Sequence, residues 1–354
     1  MQSLLRWSIE NSQSGQDGAP QSEQQQSQQP RQFDSEIIDA IMGRPDSELM
    51  KEALEKATNE QSSEDTKLQA LDDFEMLIEQ IDNANNIEKM GMWPTIQSLL
   101  SSDESSDAIR AAVLWIIGTA VQNNPAAQNA YLSLPESPLS SILSRLSPNE
   151  SSSETRSKAV YALSGLLKHN ALAVKLLEDS GGWKILKAAL EDPDITVRRK
   201  AVFLLGNLLL PSVQPSSGST SGPPSTRLHG PGVPGANAPA PREHPNSHAG
   251  MTAESTATSA VTSSALQEHG ISGDLVQALV NPLPHGKDGD QEGDEDLEEK
   301  LVRLFFTYMT SAGGHLRQGD KETLLKWIQD RRRKGENWDL QPQEVDDLQK
   351  SLSS

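Results

Sequence analysis

Cysteine is missing from this chain of 354 residues. Its absence excludes a disulfide framework, a thiolate metal site and a cysteine nucleophile. Basic charge is scarce. Lys and Arg number 31 against 50 Asp and Glu, a net charge of −19. A chain this acidic lacks the footprint for general binding to phosphate backbones, so no nucleic-acid partner is expected. Hydrophobic residues make up 35%, a small share for a chain folded along its whole length. Long apolar runs are also lacking. No stretch reaches the ~20 residues of a membrane span. Leu4, Leu5 and Ile9 fall short of a secretory signal's apolar region, and Ser-Leu-Ser-Ser354 is not a retention signal. The expected compartment is the cytosol, with no membrane partner.

The motifs of catalysis are missing too. The chain has no Gly-x-x-x-x-Gly-Lys loop, no Gly-x-Gly-x-x-Gly turn and no Gly-x-Ser-x-Gly elbow. Of the histidines, His229, His244, His248 and His285 lie in Pro/Gly-rich stretches without a ligand partner at metal spacing. His169 closes a helical pattern, where a cation complements the helix dipole. Arg331-Arg-Arg-Lys334 reads the same way. No catalytic residue, metal or cofactor is expected.

What is present is a repeat. Residues 111–121 are apolar on nearly every side, and Gln122-Asn-Asn-Pro125 stops them. A helix apolar all round must be covered, and eleven residues are too few to cross a bilayer. Ala159 to Leu167 and Ala201 to Leu209 resemble Ala112 to Ala120 at spacings of 47 and 42. Gly91-Met-Trp93 and Gly181-Gly-Trp183 lie 90 apart, two such periods. A period of ~40–47 residues with two or three helices is the armadillo/HEAT signature. The units bury their apolar faces by stacking. The fold class is therefore all-α, an armadillo-like helical repeat solenoid.

The organisation follows in order. Residues 1–32 form a flexible segment carrying a short apolar motif of Leu4, Leu5, Trp7 and Ile9 on a Gln/Ser/Gly-rich tether. Repeats occupy 33–210, with a turn expected at Asp82-Asn-Ala-Asn-Asn86. A Pro/Gly/Ser/Thr-rich insertion, expected to be disordered, spans 211–263. Leu266-Gln-Glu-His-Gly270 echoes Leu177-Glu-Asp-Ser-Gly181 and opens the last repeat, 264–318, after which two polar helices cap the end at 319–354. The acidic stretch 288–299 is expected to be a loop before a helix from Leu301 to Met309.

The recurring third helices begin with Arg110, Arg156 with Lys158, and Arg198 with Arg199 and Lys200. One reading is a basic row that meets an acidic partner, with Trp115, Tyr161 and Phe203 as anchors. The other is local pairing with Asp107, Glu154 and Asp194.

Leu4-Leu-Arg-Trp-Ser-Ile-Glu-Asn-Ser12, Asp82-Asn-Ala-Asn-Asn-Ile-Glu-Lys-Met-Gly91 and Ala120-Val-Gln-Asn-Asn-Pro125 stand in this order on the repeat spacing. Together they resemble the armadillo-type nucleotide exchange factors of seventy-kilodalton heat-shock chaperones, cytosolic fungal branch. That resemblance implies a monomer that clasps the chaperone's ATPase domain, promotes ADP release and so frees bound polypeptide. It implies a binding face on residues 107–123, 155–169 and 195–209 with the 83–86 turn. Carried onto residues, the face is Asn83, Asn86, Arg110, Asn123, Arg156, Lys158, Arg198 and Arg199. It also implies that Leu4, Leu5, Trp7 and Ile9 enter the chaperone's peptide groove. The alternative is an armadillo adaptor for an extended peptide, as in nuclear import. Such grooves carry a ladder of Trp-x-x-x-Asn, whereas Trp115 is followed by Thr119.

Overall fold

The computed structural model describes residues 43–135, 137–211, 246, 257–285 and 293–354. The chain divides into two compact units, 1–45 and 46–354. Of the first, only residues 43–45 are described, so the 1–32 segment with its apolar motif and the expected helix at 37–42 lie outside the described residues. The second unit carries sixteen α-helices and no strand among the described residues.

Two helices open it, α1 (Asp46–Thr58) and α2 (Glu64–Ile78). Four three-helix repeats follow. The first is α3 (Ile81–Lys89), α4 (Trp93–Ser101) and α5 (Asp107–Val121). The second is α6 (Pro125–Leu132), α7 (Pro138–Ser144) and α8 (Ser153–Leu167). The third is α9 (Ala171–Asp179), α10 (Gly182–Ala189) and α11 (Ile195–Leu208). The fourth is α12 (Ser259–Glu268), α13 (Ile271–Val280) and α14 (Glu295–Thr310). The end is capped by α15 (Gln318–Arg333) and α16 (Pro342–Ser353). Helices α2, α5, α8, α11 and α14 pack side by side in chain order.

One device starts each of these five helices. Ser63, Ser106, Ser152, Asp194 and Asp294 stand at their N-caps, each accepting a hydrogen bond from a backbone N–H of the first turn. Each bond satisfies an orphan donor and contributes ~1 kcal/mol. Acidic residues in the first turn of α14, Glu295, Asp296 and Glu298, suit the positive end of the helix dipole. The helix therefore begins inside the acidic stretch expected to be a loop.

The apolar run of the sequence is the buried interior of α5. Val113, Leu114, Ile116 and Ile117 lie under neighbouring helices on all sides. Trp93 and Trp183 open α4 and α10 in equivalent positions, both buried. A polar staple ties the second and third repeats together. Gln128 Nε2 donates to the carbonyls of Gly165 (2.8 Å) and Lys168 (3.1 Å), and its Oε1 accepts from Asn170 (3.2 Å). Asn123 and His169 occupy the same corner of successive repeats, with φ of 50° and 55°. Each precedes an asparagine that caps the next helix, Asn124 and Asn170.

Two boundaries differ from the sequence expectation. The Asn-rich stretch 82–86 is helical, because burying Ala84 and Ile87 outweighs the turn preference of Asn and Asp. Of the expected insertion, residues 212–245 and 247–256 lie outside the described residues, but its last residues already form α12. There Thr258 Oγ1 donates to the Leu208 carbonyl (2.8 Å), and Thr262 is fully buried. Serine and threonine disguise this helix start as linker.

Candidate partner-binding face

Counting from the caps aligns the five helices. Asp72, Trp115, Tyr161, Phe203 and Arg303 each stand nine residues after their cap. The cap spacing between the first and second repeats is 46, not the 47 of the apolar match, so Trp115 falls in line with Tyr161. These residues form a ladder across adjoining helices. Its first rung is acidic, the next three are aromatic and the last is basic.

The first two aromatic rungs are in contact. The rings of Trp115 and Tyr161 stack with centroids 5.1 Å apart and planes at 24°. Lys158 Nζ lies 2.8 Å from the Trp115 ring centroid. Thr119 Oγ1 donates to Glu75 Oε1 (2.6 Å), and Tyr161 OH donates to Gln122 Oε1 (3.1 Å). Gly118 lies under the Tyr161 ring, where a Cβ would collide with Cδ1 and Cε1. The close approach of α5 and α8 thus requires a residue without a side chain. Phe203 is 53% exposed and stands beside a notch of about 230 Å³ that Asn207 and Leu210 also line.

The candidate basic row has a different fate. Arg110, Arg156 and Arg198 each stand four residues after their cap, a position that turns inward. Arg156 is buried and donates to both oxygens of Asp192, with a third bond to the Ser151 carbonyl. Its hydrogen bond to Asp192 raises its pKa further. Arg198 is buried and donates to the carbonyls of Leu283 and Pro284. Burial lowers its pKa, opposed by nearby aspartates. Arg110 is half-buried and donates to the Ser102 carbonyl. Arg199 pairs with Asp294, and the same bond holds Asp294 below the usual aspartate range. Arg156, Arg198 and Arg199 join their repeats to a loop of the next, whereas Arg110 bonds within its own; the carboxylates that serve are Asp192 and Asp294, not the Asp107, Glu154 and Asp194 of the local-pairing reading. Lys158 and Lys200 each stand six residues after their cap and have no carboxylate within 4 Å among the described residues; Lys200 donates to Ser157 Oγ (2.7 Å), and Lys158 lies over Trp115.

The candidate asparagines separate likewise. Asn83 is buried and donates to Asp46 (2.7 Å) and the Leu77 carbonyl (2.9 Å), fixing α1 and α2 on α3. Asn86 is half-buried and accepts from Lys89, and Asn123 is exposed at its corner. Sequence reasoning missed Asp72, Glu75 and Thr119 on the ladder. Counting from Ser63 and Ser106 would have found Asp72. Leu4, Leu5, Trp7 and Ile9 lie outside the described residues. Among the described residues no group of His, Asp and Glu is placed to hold a metal.

The geometry of stacked third helices matches solved folds. A designed armadillo repeat protein superposes with a TM-score of 0.54 at 14% identity, covering 86% of this chain and 98% of its own. A second engineered protein gives 0.54 at 13%, over 86% and 94%. Two family models match in sequence. The one described as "Nucleotide exchange factor Fes1" spans residues 1–87, and the "SIL1/FES1/HPBP1 C-terminal domain" spans 83–222. A Mycosarcoma maydis protein named Hsp70 nucleotide exchange factor FES1 is 39% identical over 346 residues, 87% of this chain and 83% of its own. The chain belongs to the Fes1 family of Hsp70 nucleotide exchange factors. A Cryptococcus neoformans Fes1 relative is 43% identical over 187 residues, 50% of this chain and 48% of its own. The Saccharomyces cerevisiae Fes1 protein is 36% identical over 185 residues, 51% and 60%. The Fes1 match at 1–87 takes in the N-terminal apolar motif, and the C-terminal-domain match takes in α5, α8 and α11 with their aromatic rungs.

Proposed function

We propose that this chain is a nucleotide exchange factor for a cytosolic Hsp70 and acts through the ladder on α2, α5, α8, α11 and α14. The observation that carries the reading is the 39% identity over 346 residues to a protein of that name. Stacked repeats form an extended concave surface, and the aromatic rungs give it apolar contact area. The face clasps one lobe of the Hsp70 ATPase domain and favours its open form, in which ADP is weakly held. By linkage, a factor that weakens ADP binding itself binds the ADP state less tightly than the empty one. Release of ADP lets ATP enter and the bound polypeptide leave. The factor performs no chemistry of its own and works as a monomer. The segment with Leu4, Leu5, Trp7 and Ile9 occupies the chaperone's peptide groove, its local concentration raised by the tether.

The peptide-adaptor alternative has less support. The residue four after Trp115 is Thr119, committed to Glu75, and a Trp-x-x-x-Asn rung is not formed there. The deciding experiment is stopped-flow release of a fluorescent ADP analogue from cytosolic Hsp70 with and without this protein. Strong acceleration is expected. No acceleration with several Hsp70 proteins would overturn the reading and favour the adaptor.

A further inference from the structure

The N-terminal end of the ladder is open and acidic. A notch of about 510 Å³ lies between α2, α5 and α8, with Trp115 in its wall. Three carboxylates line it, those of Asp72, Glu75 and Glu154, against one ammonium, that of Lys158. Glu75 is buried and accepts from Thr119. Asp72 and Glu154 are exposed and make no hydrogen bond or ion pair among the described residues. The Trp115 face already carries a cation, because Lys158 lies over it. That occupant makes no hydrogen bond or ion pair among the described residues. Burial lowers the Lys158 pKa and the Lys200 charge lowers it further, while Glu154 and Glu75 oppose the shift. A ring able to take a cation, two unpaired carboxylates and a displaceable lysine make a surface complementary to a basic side chain, opposite in sign to the partner that a row of arginines would meet.

We propose that this notch seats one arginine or lysine side chain of the Hsp70 partner, with its stem along Trp115 and its charge between Asp72 and Glu154. Lys158 swings aside as the side chain enters. The inference rests on the exchange-factor reading and adds the sign and place of one contact. It also orients the complex, because the acidic rung lies at one end of the ladder and Arg303 at the other.

The test compares two variants with opposite expected signs, D72N/E154Q and K158M, for binding to nucleotide-free Hsp70 at low and moderate salt. The double variant should bind about tenfold more weakly, mostly through slower association, with a flatter salt dependence. K158M removes a competing cation and should bind about threefold more tightly. Since Asp72 and Glu154 are exposed and unpaired, the double variant should lower the melting temperature only slightly, through loss of the Glu154 charge from the first turn of α8. Weaker binding by K158M, or unchanged or tighter binding by D72N/E154Q, would overturn the seat while leaving exchange intact. If the wild-type protein bound no Hsp70, the exchange reading would fall. The seat would then be judged on an octapeptide of alternating lysine and arginine, where equal affinity for wild type and D72N/E154Q would overturn it.

Discussion

Arg156 reaches across one repeat boundary to Asp192, its Nε and Nη2 donating to the two carboxylate oxygens at 2.7 and 2.8 Å. The pair is almost fully enclosed, at 6% and 1% side-chain exposure. It ties the first turn of α8 to the corner that leads into α11. Removing one partner of such a pair leaves a buried charge uncompensated and costs ~3–5 kcal/mol. Asp192→Ala should therefore lower stability by about that amount, measured by urea unfolding. Replacing both residues with apolar ones of similar size should cost much less. A loss below ~1 kcal/mol in Asp192→Ala would show that the pair is not closed in solution.

The ladder depends on a glycine. Gly118→Ala places a methyl where the Tyr161 ring lies, so the ring must leave its stack on Trp115. Overpacking of this kind costs ~1–3 kcal/mol. Affinity for Hsp70 should fall along with stability. Gly206→Ala is the control, since a Cβ there meets Leu304 only at 3.9 Å. It should raise the melting temperature slightly, because Ala is favoured over Gly inside a helix by ~1 kcal/mol. Equal melting temperatures for the two alanine variants would refute the close approach of α5 and α8.

Acid should loosen the junction between the third and fourth repeats. The bond from Arg199 holds Asp294 below the ordinary aspartate pKa, and burial opposes it. A carboxylate with a lowered folded pKa contributes stability that is fully present above its unfolded pKa. That contribution is lost as pH falls through the folded value. The window thus lies below the ordinary aspartate range, under about pH 4. In Asp294→Asn the acid limb of a melting profile should be shallower and stability near pH 7 lower. An acid limb identical to that of the wild type would remove the linkage.

Deletions through the inter-repeat stretch should divide at the start of α12. Removing residues 213–256 takes away the bonds between Asn246 and the Asn124 and Ala126 corner, at ~1 kcal/mol. Extending the cut through Ser263 also removes Thr258 and buried Thr262, with half of a helix that caps α11. The longer deletion should lose several degrees more in Tm, read by circular dichroism. Equal melting temperatures would place the start of α12 outside the cooperative fold.

The repeat, its period and the helical class could be read from the chain alone. They rest on local signals, namely apolar residues at helical spacing, Ser and Asp caps, and Gly91 and Gly181 before Trp93 and Trp183. Sequence also showed which residues recur, among them Arg156 with Arg198 and Lys158 with Lys200. It did not show which way they face. Arg156 and Lys158 are two residues apart on one helix, a separation of about 200° around its axis. One therefore enters the core and the other lies over Trp115. Which side is the core depends on where α5 and α11 pack, and on Asp192 arriving from 36 residues away. The Asn-rich stretch 82–86 shows the same limit. Its composition favours a turn, yet burial of Ala84 and Ile87 makes it a helix. Periodicity is a property of the chain, whereas burial and the pairing of charge are properties of neighbours. Tertiary structure alone put Arg156 and Arg198 inside and left two carboxylates open beside a tryptophan.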